Sequence, residues 1–159
     1  MKAAIIFGSK SDVQVMKKAS DVFKEFGVSY SAYAVSAHRT PELLAEILSQ
    51  LEAGGTEVII AGAGLAAHLP GVIASKTIIP VIGVPIGGNS LGGLDALLSI
   101  VQMPKQIPVA TVGIDNAANA AYLACEILAI KYPELKKALI DFRKQLKEDL
   151  SKDSGAIEL

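Results

Sequence analysis

The chain has no tryptophan, one cysteine and two histidines among its 159 residues, and only 19% of its side chains are charged. Each scarcity removes a class of function. A lone Cys125 excludes an intramolecular disulfide and fits a reducing compartment. Its alanine-rich surroundings read as helix, so it is expected to be a small packed hydrophobe and not a nucleophile. Two histidines and one cysteine at these spacings form no recognisable ligand set, and no metal is expected. Aromatic residues make up 5%, which leaves little to stack on a flavin. A net charge of −1 carries no footprint for nucleic acid or an anionic membrane. No apolar run reaches the roughly 18 residues of a membrane span without Gly, Pro or polar interruption. Met1-Lys2 leads straight into a strand-like run, without room for a signal peptide. The expectation is a soluble, cytoplasmic protein.

What remains is oily: 51% of the residues are hydrophobic, enough for one domain with a real core over residues 1–159. Between Glu57 and Asp95 the only charged residue is Lys76. A small monomer cannot easily hide so long an uncharged stretch, so part of it should be buried against other copies in a homo-oligomer.

The hydrophobic pattern alternates between short runs and helical periods. Ala3-Ala4-Ile5-Ile6-Phe7, ended by Gly8, reads as a strand buried on both faces. Residues 13–26 repeat apolar positions every three or four residues and close at Gly27, as a helix does. Strands are expected over residues 30–35, 58–61, 81–84 and 109–112. Helices are expected over residues 41–53, 72–75, 94–101, 116–130 and 133–150. Thr40-Pro41-Glu42 supplies a cap, a proline at the first helical position and an acid in the first turn. Strands alternating with helices imply an α/β fold, a three-layer sandwich around a parallel sheet of about five strands with right-handed crossovers. Residues 131–159 carry seven basic and six acidic side chains along with a Leu135, Leu139, Phe142, Leu146 stripe. They read as a helical C-terminal extension laid over the body or over a neighbouring copy.

Two polar loops stand out. Gly8-Ser9-Lys10-Ser11-Asp12 follows the first strand and Ser36-Ala37-His38-Arg39-Thr40-Pro41 follows the second, and each is expected to open a helix. In a parallel sheet both lie at the carboxyl edge, where such folds bind ligands. Amides and a positive helix end beside Gly8 suit a phosphate, with the hydroxyls of Ser9, Ser11 and Ser36 as further donors. Asp12 would repel phosphate; it is suited to cap the helix or to accept from ribose hydroxyls. Arg39 offers a planar fork for phosphate or carboxylate. His38, beside it, is the candidate for proton transfer, because an imidazole ordinarily takes and gives a proton near neutrality. Gly62-Ala63-Gly64-Leu65-Ala66-Ala67 imitates a dinucleotide fingerprint, but no acid follows about 20 residues on for the ribose. Backbone free of side chains around Gly64 instead admits a flat, small ligand. His68 is placed to orient a ligand carboxylate or to cap a short helix. The glycine-rich residues 87–93 read as a lid or a plain connection.

Taken together with Ala66-Ala67-His68-Leu69-Pro70-Gly71, Gly83-Val84-Pro85 and Ser99-Ile100-Val101-Gln102-Met103-Pro104, these motifs resemble, in order and over most of the chain, the 5-(carboxyamino)imidazole ribonucleotide mutase family of bacterial purine biosynthesis. The resemblance implies a flavodoxin-like sandwich assembled as a homo-octamer, with neither metal nor organic cofactor. It implies a ribonucleotide monophosphate substrate, with Ser9, Asp12 and Arg39 on the ribose phosphate and His38 as the acid-base residue. Leu65 stands where that family commonly has a smaller residue, and Gly87-Gly88-Asn89 replaces a more polar loop. A carboxylase using free carbon dioxide, and a ribonucleotide-binding module without turnover, are the alternatives that the residues leave open.

Overall fold

A computed structural model describes residues 1–88, 91–153 and 155. Five strands, β1 (Lys2–Phe7), β2 (Ser29–Ala34), β3 (Val58–Gly64), β4 (Val81–Ile86) and β5 (Ala110–Thr111), form one parallel sheet in the order β2-β1-β3-β4-β5. Six helices accompany them: α1 (Val13–Glu25), α2 (Pro41–Ala53), α3 (Leu69–Ala74), α4 (Leu94–Val101), α5 (Ala117–Ala129) and α6 (Pro133–Asp153). Every β1 residue from Ala3 to Phe7 is buried, as a central strand with helices on both faces requires. Its side chains alternate between two cores. Ala3, Ile5 and Phe7 pack with α1, α5 and the first turns of α6, while Ala4 and Ile6 pack with α2, α3 and α4. The result is the α/β/α sandwich expected.

Glycines inside two strands are set by close approach of a helix. A Cβ on Gly62 would strike Met16 Sδ of α1. One on Gly83 would strike Ile100 of α4 and lie 2.9 Å from Val109 Cγ1. Gly62-Ala63-Gly64 therefore belongs to β3 and not to the loop expected after residue 61, which also removes the turn a dinucleotide site needs. β4 likewise runs two residues past its expected end. β5 shrinks from four residues to two, because only Ala110 and Thr111 register against Ile82 and Gly83. α3 starts at Leu69, not 72: Pro70 sits in its first turn, where a missing N–H is harmless.

The C-terminal helix packs on the body in its first half only. Leu135 and Leu139 are buried, and the Phe142 ring stacks on Tyr122 at 5.3 Å and meets Phe26 edge-on at 5.5 Å. Further along, Leu146 is exposed. Burial pushes the Cys125 thiol up to about 12, so it is an inert core residue, as expected. Among the described residues no helix is long and apolar enough to cross a membrane.

At the amino edge of the sheet Glu57 gathers several donors. Its carboxylate accepts from the Lys2 amide (3.1 Å), Lys131 Nζ (2.7 Å) and the Tyr132 hydroxyl (2.9 Å), tying the starts of β1 and β3 to the α5–α6 junction. Partial desolvation works against the charge, but the hydrogen bonds from Lys131, Lys2 and Tyr132 outweigh it and hold the carboxyl at about 2. A carboxylate lowered on folding stabilises fully above its unfolded value near 4.5 and loses that effect as pH falls toward about 2. Glu57→Gln is expected to lose about 1–2 kcal/mol at neutral pH, after allowance for solvent screening. In urea unfolding the difference from the parent should shrink as pH falls through that window; a constant difference would contradict the clamp.

Candidate active site

In the observed strand order, the direction in which successive strands are added reverses between β1 and β3: β1 connects outward to β2, and the chain then crosses back to β3 on the other side of β1. Connections leaving on opposite faces open a crevice at the carboxyl ends of β1 and β3. The loop after β1, the loop after β2 and the end of β3 border it. Gly8 N donates to Gly62 O at 3.3 Å, and Val35 N to Phe7 O at 2.9 Å, so the ladder holds all three together up to the rim.

The β1 loop is a capped turn. Ser9, with extended backbone, caps a short 3-10 turn over Lys10–Asp12 that runs into α1. Its Oγ accepts from Ser11 N (3.3 Å), and Asp12 Oδ2 accepts from Ser9 N (3.1 Å), a reciprocal capping box. Ser11 Oγ donates to Asp12 Oδ1 at 3.0 Å. Asp12 does not cap α1 through its side chain, as was one expectation for it; it is the third-position partner of the Ser9 cap, and that reciprocal pair fixes the loop. Ser9 Oγ acts here as an acceptor.

The β2 loop departs from expectation in detail. His38 and Arg39 do not open a helix; they lie on a turn closed by Thr40 N donating to Ser36 O at 3.0 Å, and α2 begins at Pro41. Thr40 occupies the cap position, but its hydroxyl donates back to Ser36 O at 3.0 Å and caps nothing. Ser36 Oγ accepts from both the amide and Nε of Arg39 at 3.3 Å. A long contact of 3.5 Å joins Arg39 Nη2 to Gly8 O. The guanidinium is thereby stretched toward the phosphate-type loop with most of its N–H donors unused among the described residues.

The third component was legible only as a residue. His68 stands at the start of α3 without capping it through its side chain. Instead its Nδ1 lies 2.6 Å from His38 Nε2, with the rings edge to face at 4.8 Å between centroids. One nitrogen must donate and the other accept, so the contact holds one N–H and excludes the pair with a proton on each facing nitrogen. Both rings are exposed. The two histidines of the chain, 30 positions apart, therefore meet in front of β1 at the switch point.

Gly64 ends β3 opposite Ile86 of β4, and Leu65 follows with a left-handed φ of +57°. For a branched side chain that backbone costs about 1–2 kcal/mol. On the other flank, Asp115 was missed in the sequence. Its Oδ1 accepts from Gly87 N at 2.9 Å, its amide donates to Pro85 O at 2.9 Å, and Lys18 Nζ reaches its carbonyl at 3.4 Å. It pins the start of the β4 loop; an acid before an alanine-rich helix was the only hint. Asn89 and Ser90, in the segment read as a lid or connection, lie outside the described residues. Among the described residues no group of three or more His, Cys, Asp and Glu is arranged to hold a metal ion.

Ser9, Ser36, His38, Arg39, Gly64 and His68 thus gather at the carboxyl edge of β1, β2 and β3, with Ser11 and Asp12 bracing the β1 loop. The N5-carboxyaminoimidazole ribonucleotide mutase of Pyrococcus horikoshii is 58% identical over 154 residues, covering 97% of this chain and 87% of its own length. The protein of the same name from Thermotoga maritima is 50% identical over 157 residues, covering 99% and 92%. The crystal structure of Treponema denticola PurE superposes with a TM-score of 0.89 at 27% identity, covering 96% of this chain and 95% of that one. The AIR carboxylase family profile matches residues 2–149, and the chain belongs to that family.

Proposed function

We propose that this chain converts 5-carboxyamino-1-(5-phosphoribosyl)imidazole into 5-amino-1-(5-phosphoribosyl)imidazole-4-carboxylate, the mutase step of purine biosynthesis. Beside the likeness to mutases, the observation that carries the mechanism is the 2.6 Å contact of His38 with His68. The substrate is a carbamate. Its N–C bond breaks to carbon dioxide while the electron pair stays on nitrogen, which takes one proton. The electron-rich ring carbon next to the amine then attacks the same carbon dioxide, and forming the new C–C bond expels one ring proton. One proton is lent and one is returned, so the reaction needs a single proton and a place to keep it.

His38 lends and retrieves that proton, and His68 holds the ring in place while its shared N–H fixes which nitrogen is loaded. Ser9 and Arg39 bind the ribose phosphate, with the amides of the β1 loop as further donors. Ser11 and Asp12 support that loop and face the ribose, and Ser36 aims Arg39. The backbone at Gly64 leaves room for the flat imidazole and for the carbon dioxide released beside it. Enclosure slows loss of the gas to water, and proximity replaces a bimolecular capture. Neither metal nor organic cofactor enters these steps.

The protein works as a homo-oligomer, an octamer on the family's pattern, in the cytoplasm. Supporting this, Leu94, Leu98 and Val101 of α4 form an apolar stripe about half exposed, within or beside the charge-poor stretch between Glu57 and Asp95. Light scattering is expected to give a mass several times 16.6 kDa; a monomer would refute it.

The activity is tested without ATP. Purified protein receives either the carbamate nucleotide with no added bicarbonate, or aminoimidazole ribonucleotide with bicarbonate. Efficient carbon-carboxylated product from the first mixture alone is expected. Efficient product from the second alone would mean a carbon-dioxide-dependent carboxylase, and silence in both a binding module. His38→Asn should abolish turnover with ligand affinity kept within a few-fold; retained turnover would remove it from the chemistry. Arg39→Ala should weaken a ribose monophosphate by about 2 kcal/mol, the scale of a charged hydrogen bond lost. Equal affinity by calorimetry would place the phosphate elsewhere.

A further inference from the structure

Leu65 is disfavoured twice by the chain that carries it. Its φ of +57° belongs to the left-handed region where glycine is at home. Its side chain is also 58% exposed and gains little from burial in the core. Neighbouring residues do not share the strain: among the described residues the other non-glycine positions with positive φ are Gln106 and Asp115. A strained, exposed, branched apolar residue contributes nothing evident to folding, so what it does must involve whatever covers it.

Its place in the fold names the cover. Leu65 leaves the carboxyl end of β3, directly at the switch point, three positions before His68, whose Nδ1 meets His38. A group there borders the space in which the proposed decarboxylation and recarboxylation occur. Apart from Gly64 and the small Ala66, that rim is polar: Ser9, Ser36, Arg39 and both imidazoles. Between the two chemical steps the intermediate is free carbon dioxide, a small apolar molecule that water hydrates and carries off. A polar rim does not retain it; a branched hydrocarbon does.

We infer that Leu65 determines partitioning in the mutase reaction: its side chain covers the imidazole and the released carbon dioxide and keeps them from solvent until the C–C bond forms. The inference rests on the mutase reading above. Leu65 moves no proton and binds no phosphate, so its removal changes where the carbon comes from more than whether product forms.

The test uses isotopically labelled bicarbonate. Wild type, Leu65→Ala and Leu65→Gly are each given unlabelled carbamate nucleotide in buffer containing ¹³C-bicarbonate, with carbonic anhydrase keeping it equilibrated with carbon dioxide. Mass spectrometry reads the fraction of product carrying ¹³C, and the free aminoimidazole nucleotide is measured in parallel, corrected for spontaneous decarboxylation. Wild type should give largely unlabelled product. Both variants should raise labelled product and released aminoimidazole nucleotide several-fold. Leu65→Gly, relieved of backbone strain, should melt at the same temperature as wild type or higher. Unchanged partitioning in both variants overturns the inference, as does a lower melting temperature for Leu65→Gly, which would make Leu65 a packing residue. Failure of wild type to consume the carbamate overturns the mutase reading itself, an outcome separable from either.

Discussion

A parallel sheet buried on both faces constrains everything else in this molecule. Its parallel strands pair only if each return connection crosses a face of the sheet, and that pairing puts every carboxyl end at one edge. With five strands in the order β2-β1-β3-β4-β5, helices α1, α5 and α6 cover one face and α2, α3 and α4 the other. The reversal between β1 and β3 leaves one place where adjacent loops diverge. Residues as distant in sequence as Gly8, His38 and His68 are brought to that place by hydrogen-bond registry.

The chemistry uses little beyond what that registry supplies. The β1 loop needs its capping box because the amides that would hold a phosphate must not wander. The β2 loop carries a turn instead of a helix start, which frees His38 and Arg39 to project over the rim while Ser36 restrains the guanidinium. The β3 end brings His68 within 2.6 Å of His38. None of these side chains is buried, and a free site open to water suits a reaction whose labile carbamate must enter quickly and then be enclosed. Amino-edge contacts at Glu57 belong to a separate task, holding the far end of the sheet to the α5–α6 junction.

Sequence reasoning read the fold where one local rule dominated. β1 was visible as an apolar run ended by glycine, and α1 as a periodic stripe closed at Gly27, whose φ of +66° is the left-handed cap expected there. It failed where tertiary contacts overrode the local signal. Gly62 and Gly64 look like loop residues, yet both pair in the β3 ladder, and Gly62 is glycine because Met16 lies against it. Pro70 looks like a breaker, yet it sits in the first turn of α3. β5 is cut short by what pairs with it, and no pattern within residues 109–112 reveals that. In the site, the identities of Ser9, Asp12, Ser36, His38, Arg39 and His68 were legible as types suited to a phosphate and a proton. The joining of His38 to His68 was not, because it depends on the register of β3 beside β1.

The central claim is that these two imidazoles share one proton at the switch point, and nuclear magnetic resonance tests it directly. With ¹⁵N-labelled histidine, a scalar coupling across the hydrogen bond between His38 Nε2 and His68 Nδ1 is expected in the wild-type protein. It should vanish in His68→Asn without loss of the fold. Two rings that show no coupling in the wild-type protein would contradict the account, and would leave His38 to hold its proton unaided.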